Sequence, residues 1–149
     1  MSTETHQTQP FYREKKMGIL KKYLYTLTIF VSIDFFWLYF ASPLLYSGNI
    51  QFIFKETPSF FPAILFYLTF SLGLVYLVIL PTYSTKTSDL YRKLVTPALF
   101  GLCTYGAYSF TNAAVIKHFS LTIALIEVVW GMIICTLTTI AVTTLIKNK

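Results

Sequence analysis

The sequence predicts an all-α, polytopic membrane protein: four transmembrane helices in one antiparallel bundle, with both termini cytoplasmic. Three observations lead there. The 149-residue chain is 55% hydrophobic and only 12% charged, too apolar for a water-soluble domain. Four stretches, about 23–46, 60–81, 94–116 and 121–146, contain no Lys or Arg and approach or exceed the roughly 20 residues that carry a helix across the hydrocarbon. Basic residues then cluster at alternate ends of those stretches, which sets the orientation.

Lipid offers no hydrogen bonds to the backbone, so each stretch must be a helix or a closed-barrel strand, and stretches this long exclude the short alternating strands of a barrel. Residues 1–22 are read as a polar and basic cytoplasmic tail, with 1–12 (MSTETHQTQPFY) short of aliphatic residues and broken by Pro10. The first span, 23–46, outruns the roughly 7 to 15 apolar residues of a signal-peptide core and lacks a small-x-small cleavage pattern, so it is expected to be retained. The connection from Ser47 to Ser59 carries Gly48, Asn49 and Pro58, and its Phe52, Ile53 and Phe54 are expected along the outer interface. Pro81 and Thr82 are expected to close the second span, because proline cannot continue the hydrogen-bonded ladder. The link Lys117–Ser120 is short enough to force the third and fourth spans into an antiparallel hairpin. Residues 23–146 thus form the transmembrane domain and 147–149 a cytoplasmic end.

The orientation rests on Arg13, Lys15, Lys16, Lys21 and Lys22 before the first span, Lys86, Arg92 and Lys93 between the second and third, and Lys147 and Lys149 at the end. The other two connections carry one lysine each, Lys55 and Lys117. The net charge of +6 is then explained by flanks facing anionic lipid. Nucleic-acid binding is excluded for want of a folded basic surface. Membrane lipids are the expected surroundings, with a second copy of the chain or another membrane protein as partner and an inner membrane as location.

Two acids interrupt this apolar background. Asp34 and Glu127 each lie inside a span and are each followed three residues later by tryptophan, Trp37 and Trp130. An ionisable group at bilayer depth costs about 2.5 to 3.5 kcal/mol on insertion scales, which makes it a functional-site candidate. On the third span Gly101, Tyr105, Tyr108 and Asn112 recur at intervals of four, three and four, so they share a helix face, flanked by Thr104 and Thr111. On the fourth, Glu127 continues through Gly131, Cys135 and Thr138, small residues that permit close approach. By helical rise Asn112 lies roughly 8 Å below Lys117 and Glu127 roughly 10 Å below Ser120, while Asp34 lies about 18 Å from Lys22 and nearer the midplane. The expectation is one polar chamber lined by Asp34, Tyr105, Tyr108, Asn112 and Glu127.

No cation in the spans pairs these acids, and desolvation without a countercharge favours a neutral carboxylic acid. Such a group can donate hydrogen bonds to Asn112 or the tyrosines, or release its proton when a cation enters. The plainer alternative is that Glu127 and Asp34 hold helices together by cross-helix hydrogen bonds. Trp37 and Trp130, too deep for the interfacial belt, either wall the chamber or simply pack. The D-x-x-W and E-x-x-W segments, on helices of opposite sense, hint at an inverted repeat, a transporter device. Tyr23, Tyr25, Tyr39, Tyr46, Phe60 and Phe61, near the span ends, are expected as interface anchors.

Cys103 and Cys135 fall near the middle of the third and fourth spans, without C-x-x-C spacing, and are expected to pack, the alternative being a disulfide should they face each other. His6 and His118 complete no zinc-like cluster with the buried acids, and the sequence holds no phosphate loop, nucleophile elbow or metalloprotease helix. No metal or other cofactor is expected.

The chain resembles an uncharacterised bacterial membrane-protein family, domain of unknown function 2177. The matching residues are Asp34, Trp37 and Leu38 in the first span, Tyr105, Gly106, Tyr108, Thr111 and Asn112 in the third, and Trp130 with Gly131 in the fourth. The resemblance spans about residues 20 to 146 and implies a four-span inner-membrane protein, without an activity. The family pattern often has Asp where this chain has Ser109 and Glu127, and Trp-Pro where it has Phe119 and Ser120. The loss at Ser109 removes support for a mechanism needing a third carboxyl.

Two functions compete. In one, Asp34, Trp37, Tyr105, Tyr108, Thr111, Asn112, Glu127 and Trp130 form a proton- or cation-linked site for binding or transport of a small ligand, with any pathway at a subunit interface. In the other, the protein modifies membrane lipids or assists such an enzyme, with an acid beside Tyr105 or Tyr108 as general acid or base. A structural role in a membrane complex needs no chemistry at all.

Overall fold

A computed structural model describes residues 9–45, 59–84 and 90–147. Every regular element among them is helical. The first helix is α1 (Gln9–Leu45), and the second is a continuous rod made of α2 (Phe60–Leu74), a π-helical turn (Val75–Ile79) and α3 (Leu80–Ser84). The third is α4 (Leu90–Val115) and the fourth α5 (Leu121–Lys147). Three of the four are long and apolar enough to cross a membrane, over Gly18–Ala41, Phe60–Thr82 and Leu121–Ile146. Helix α4, which carries Thr104, Tyr105, Tyr108, Ser109, Thr111 and Asn112, is not among these three.

Two expectations at helix ends are corrected. Helix α1 is described over Gln9–Leu45, so Pro10 lies within it and does not break it. The second helix does not stop at Pro81 but continues to Ser84. Pro81 has no N–H to donate and its ring crowds the preceding turn. The π-helical turn just before it widens the ladder, so that the Leu80 N–H reaches the Val75 carbonyl, five residues back. Helix α4 likewise runs through Pro97. The expected outer-interface patch Phe52, Ile53 and Phe54, the tail residues 1–8, Lys86 and Lys149 lie outside the described residues.

Packing separates the molecule into a close-packed half and a hollow half. Phe30 of α1, Leu74, Val75, Val78 and Ile79 of the second helix, and Ile134, Cys135 and Val142 of α5 form a fully buried cluster. Phe30 stacks on Phe70 with ring centroids 4.8 Å apart. Tyr23 and Tyr25, expected as interface anchors, are partly buried and pack against this cluster. Inside lipid such a core is held by dispersion contacts rather than by escape from water. Large apolar side chains such as Phe35, Phe36, Leu77 and Val129 point outward, as a hydrocarbon solvent permits.

Helices α4 and α5 make the tightest pair, and they run in opposite senses, Gly101 meeting Gly131 and Ser109 meeting Glu127. A Cβ on Gly101 would fall inside the backbone of Gly131, and one on Gly131 would fall inside the Tyr105 side chain. Two glycines therefore set how closely the helices approach, the small-residue mode of membrane helices. The turn between them places His118 at φ 68, and Ser120 caps α5 by accepting the Thr122 N–H at 3.1 Å. Cys103 is exposed and Cys135 buried, and both are free thiols.

Candidate functional site

The hollow half lies toward the end of the molecule where α1 finishes, α2 starts and α4 turns into α5. Four helices contribute. Asp34 comes from the later part of α1, Tyr67 from α2, Tyr105, Tyr108 and Ser109 from α4, and Glu127 and Trp130 from the first turns of α5.

Asp34 is buried, only 7% exposed, and both its oxygens are occupied. The Tyr67 hydroxyl donates to Oδ2 at 2.9 Å and the Trp130 indole N–H donates to Oδ1 at 3.1 Å. One carboxyl thus ties α1 to both α2 and α5. The indole can only donate, so Oδ1 accepts there, and Oδ2 accepts from the Tyr67 hydroxyl. Trp37, one turn beyond Asp34, lies flat on Trp130, with centroids 4.3 Å apart and planes 8° from parallel. Each tryptophan therefore meets the other helix rather than the acid three residues before it. Glu127 accepts a 2.7 Å hydrogen bond from the Ser109 hydroxyl at Oε2, joining α4 to α5.

These groups surround a cavity of about 540 Å³, whose wall includes Asp34, Trp37, Tyr105, Tyr108, Glu127 and Trp130 together with Leu38, Pro62, Ala63, Phe66, Phe70 and Thr104. Its volume falls in the range of small-molecule sites, and its make-up, an apolar wall with a few convergent polar groups, is typical of them. Two carboxyl groups face it, and its wall contains no Lys or Arg. Among the described residues no three His, Cys, Asp or Glu side chains come together to hold a metal ion.

The family model described as "Predicted membrane protein (DUF2177)" matches residues 19–144. The chain belongs to this family. No curated protein and no solved structure matches it. In this DUF2177 member the matched segment contains every residue of the site.

Of the eight residues singled out from sequence, the structure brings six to the cavity wall: Asp34, Trp37, Tyr105, Tyr108, Glu127 and Trp130. Thr111 is exposed and its hydroxyl turns back to the Ala107 carbonyl of its own helix. Asn112 lies one turn further toward the end of α4, outside the wall. Glu127 meets Ser109, which stands one turn before Asn112 on α4. Sequence reasoning missed Tyr67, which an aromatic run (Phe66, Tyr67, Phe70) hides among packing residues. A phenol on the helix adjoining a buried acid was the available signal.

Proposed function

We propose that the protein is a four-span antiparallel bundle of an inner membrane, termini cytoplasmic, whose chamber binds a cation or small polar ligand in exchange for protons. One observation carries the reading: Asp34 and Glu127 face a single cavity of about 540 Å³ whose wall contains no positive side chain. A proton and an incoming positive charge compete for a carboxyl so placed. Tyr67 and Trp130 hold Asp34 in one orientation, which leaves its protonation as the variable.

The binding volume lies within one chain, which removes the need for a subunit interface to create it. A second copy or another membrane protein enters the proposal only for passage across the full bilayer. Proteoliposomes carrying the protein are expected to show proton movement when a permeating cation is supplied on one side. Movement that is unchanged in Asp34→Asn and Glu127→Gln would remove both acids from the role.

A further inference from the structure

We infer that the ligand of this chamber is an organic ammonium carried on an apolar body, its positive head at Asp34 and Glu127 and its hydrocarbon against the Trp37–Trp130 stack. The inference rests on the binding function proposed above and narrows it to a chemical class.

The sign of the charge comes from the wall. An anionic head would meet two carboxyl groups and no Lys or Arg. A positive head meets carboxyl oxygens, and it also meets Phe66, Phe70, Tyr105 and Tyr108, whose ring faces attract cations. The size argues against a bare ion, because about 540 Å³ fits an organic molecule rather than a metal, which in addition lacks a cluster of three ligands among the described residues.

The apolar body comes from a second hollow. Trp37 and Trp130 are shared by the chamber and by an adjoining groove of about 270 Å³ lined otherwise by Leu125, Ile126, Val129 and Ile133. The stacked indoles thus border both the chamber, which has two carboxyl groups in its wall, and the groove, which is lined by apolar side chains. Leu125 and Val129 are exposed on a surface that faces hydrocarbon. An ammonium head in the chamber and an alkyl tail against the indole stack follow this division of chemistry.

The chain has two tryptophans and both stand at the site, so indole fluorescence reports on it directly. The protein, in nanodiscs of a neutral phospholipid, is titrated with decylammonium, decyltrimethylammonium, decanol and decyl sulfate. A saturable change with a decyl cation, and none with decanol or decyl sulfate, is expected. Methylation of the head separates hydrogen bonding from ring-face attraction, and either cation alone satisfies the proposal. Asp34→Asn and Glu127→Gln should each weaken binding roughly tenfold or more, the scale of one charge-assisted contact. Leu77→Ala, on the outer surface, should not. Should Asp34→Asn fail to fold, Glu127→Gln decides.

Equal binding of decanol or decyl sulfate, or unchanged affinity in the acid variants, overturns the inference. A response to tetramethylammonium that gains nothing from the decyl chain overturns the apolar body while leaving cation binding intact. Silence toward every cation sinks both. Octadecylamine built into the nanodisc, compared with short amines added from water, separates a bilayer source from an aqueous one.

Discussion

The indole of Trp130 donates its hydrogen bond to Asp34, 96 positions away in the chain, and not to Glu127 one turn before it on the same helix. That choice links α1 to α5 at the level of the cavity. Stacking of Trp37 on the same indole fixes the ring from its other side. One acid, Asp34 of α1, and a tryptophan from each of the two helices therefore act as one unit.

Removing the Tyr67 hydroxyl tests how much that unit contributes to stability. Tyr67→Phe deletes one of the two donors to a buried carboxyl and changes little else. A loss of about 1–3 kcal/mol is expected, the cost of leaving a buried acceptor without its partner. Reversible unfolding in detergent would measure it, and combining Tyr67→Phe with Asp34→Asn should cost less than the two separate losses added together.

The three glycines of α4 and α5 should differ sharply. Gly101→Ala and Gly131→Ala place a methyl where backbone and the Tyr105 side chain already are, and each should destabilise by about 1–3 kcal/mol through overpacking. Gly106→Ala meets only the edge of Phe110 at 3.4 Å. Its better helix propensity should leave it neutral or stabilising, by up to about 1 kcal/mol. Equal melting temperatures for all three would show that the α4–α5 contact is not as close as described.

Ser109→Ala removes the donor to Glu127 Oε2 from the α4–α5 pair. The expected loss is about 1 kcal/mol, the net worth of one hydrogen bond, with a larger effect on ligand affinity if Glu127 loses its orientation. Thermal unfolding with and without decylammonium separates the two.

The two thiols should behave differently. Cys103 is exposed and Cys135 buried, so a lipid-soluble maleimide should modify one site in the folded protein and two after unfolding. Mass spectrometry of the labelled chain reads the count. Labelling that persists in the folded Cys103→Ala variant would contradict the burial of Cys135.

Topology has its own check. A reporter active only in the cytoplasm should work when fused after Lys149 and fail when inserted in the turn at His118. The opposite pattern would invert the bundle and place the chamber at its cytoplasmic end.

The apolar runs, their lengths and the placement of Lys and Arg were enough to read a helical membrane protein from sequence, because hydrocarbon leaves the backbone few alternatives. The same physics singled out Asp34 and Glu127, since an acid in such a run is costly wherever its helix lies. Helical spacing also put Tyr105 and Tyr108 on one face of α4. Asn112 shares that face but stands one turn beyond the cavity, a distinction that spacing along one helix cannot make.

Only the tertiary structure decided which groups meet. The close approach of α4 and α5 depends on Gly101 and Gly131 seating against each other, and the same pair of helices joins Ser109 to Glu127. The partners of Asp34 come from helices far apart in the chain, and a phenol among phenylalanines has no sequence mark as a donor. Continuation of the second helix past Pro81 also needed the fold, because the π-helical turn before it is stabilised by packing Val75, Val78 and Ile79 against α1 and α5. Local composition determines whether a segment can live in lipid; contacts between segments, which composition does not encode, determine where its polar atoms find partners.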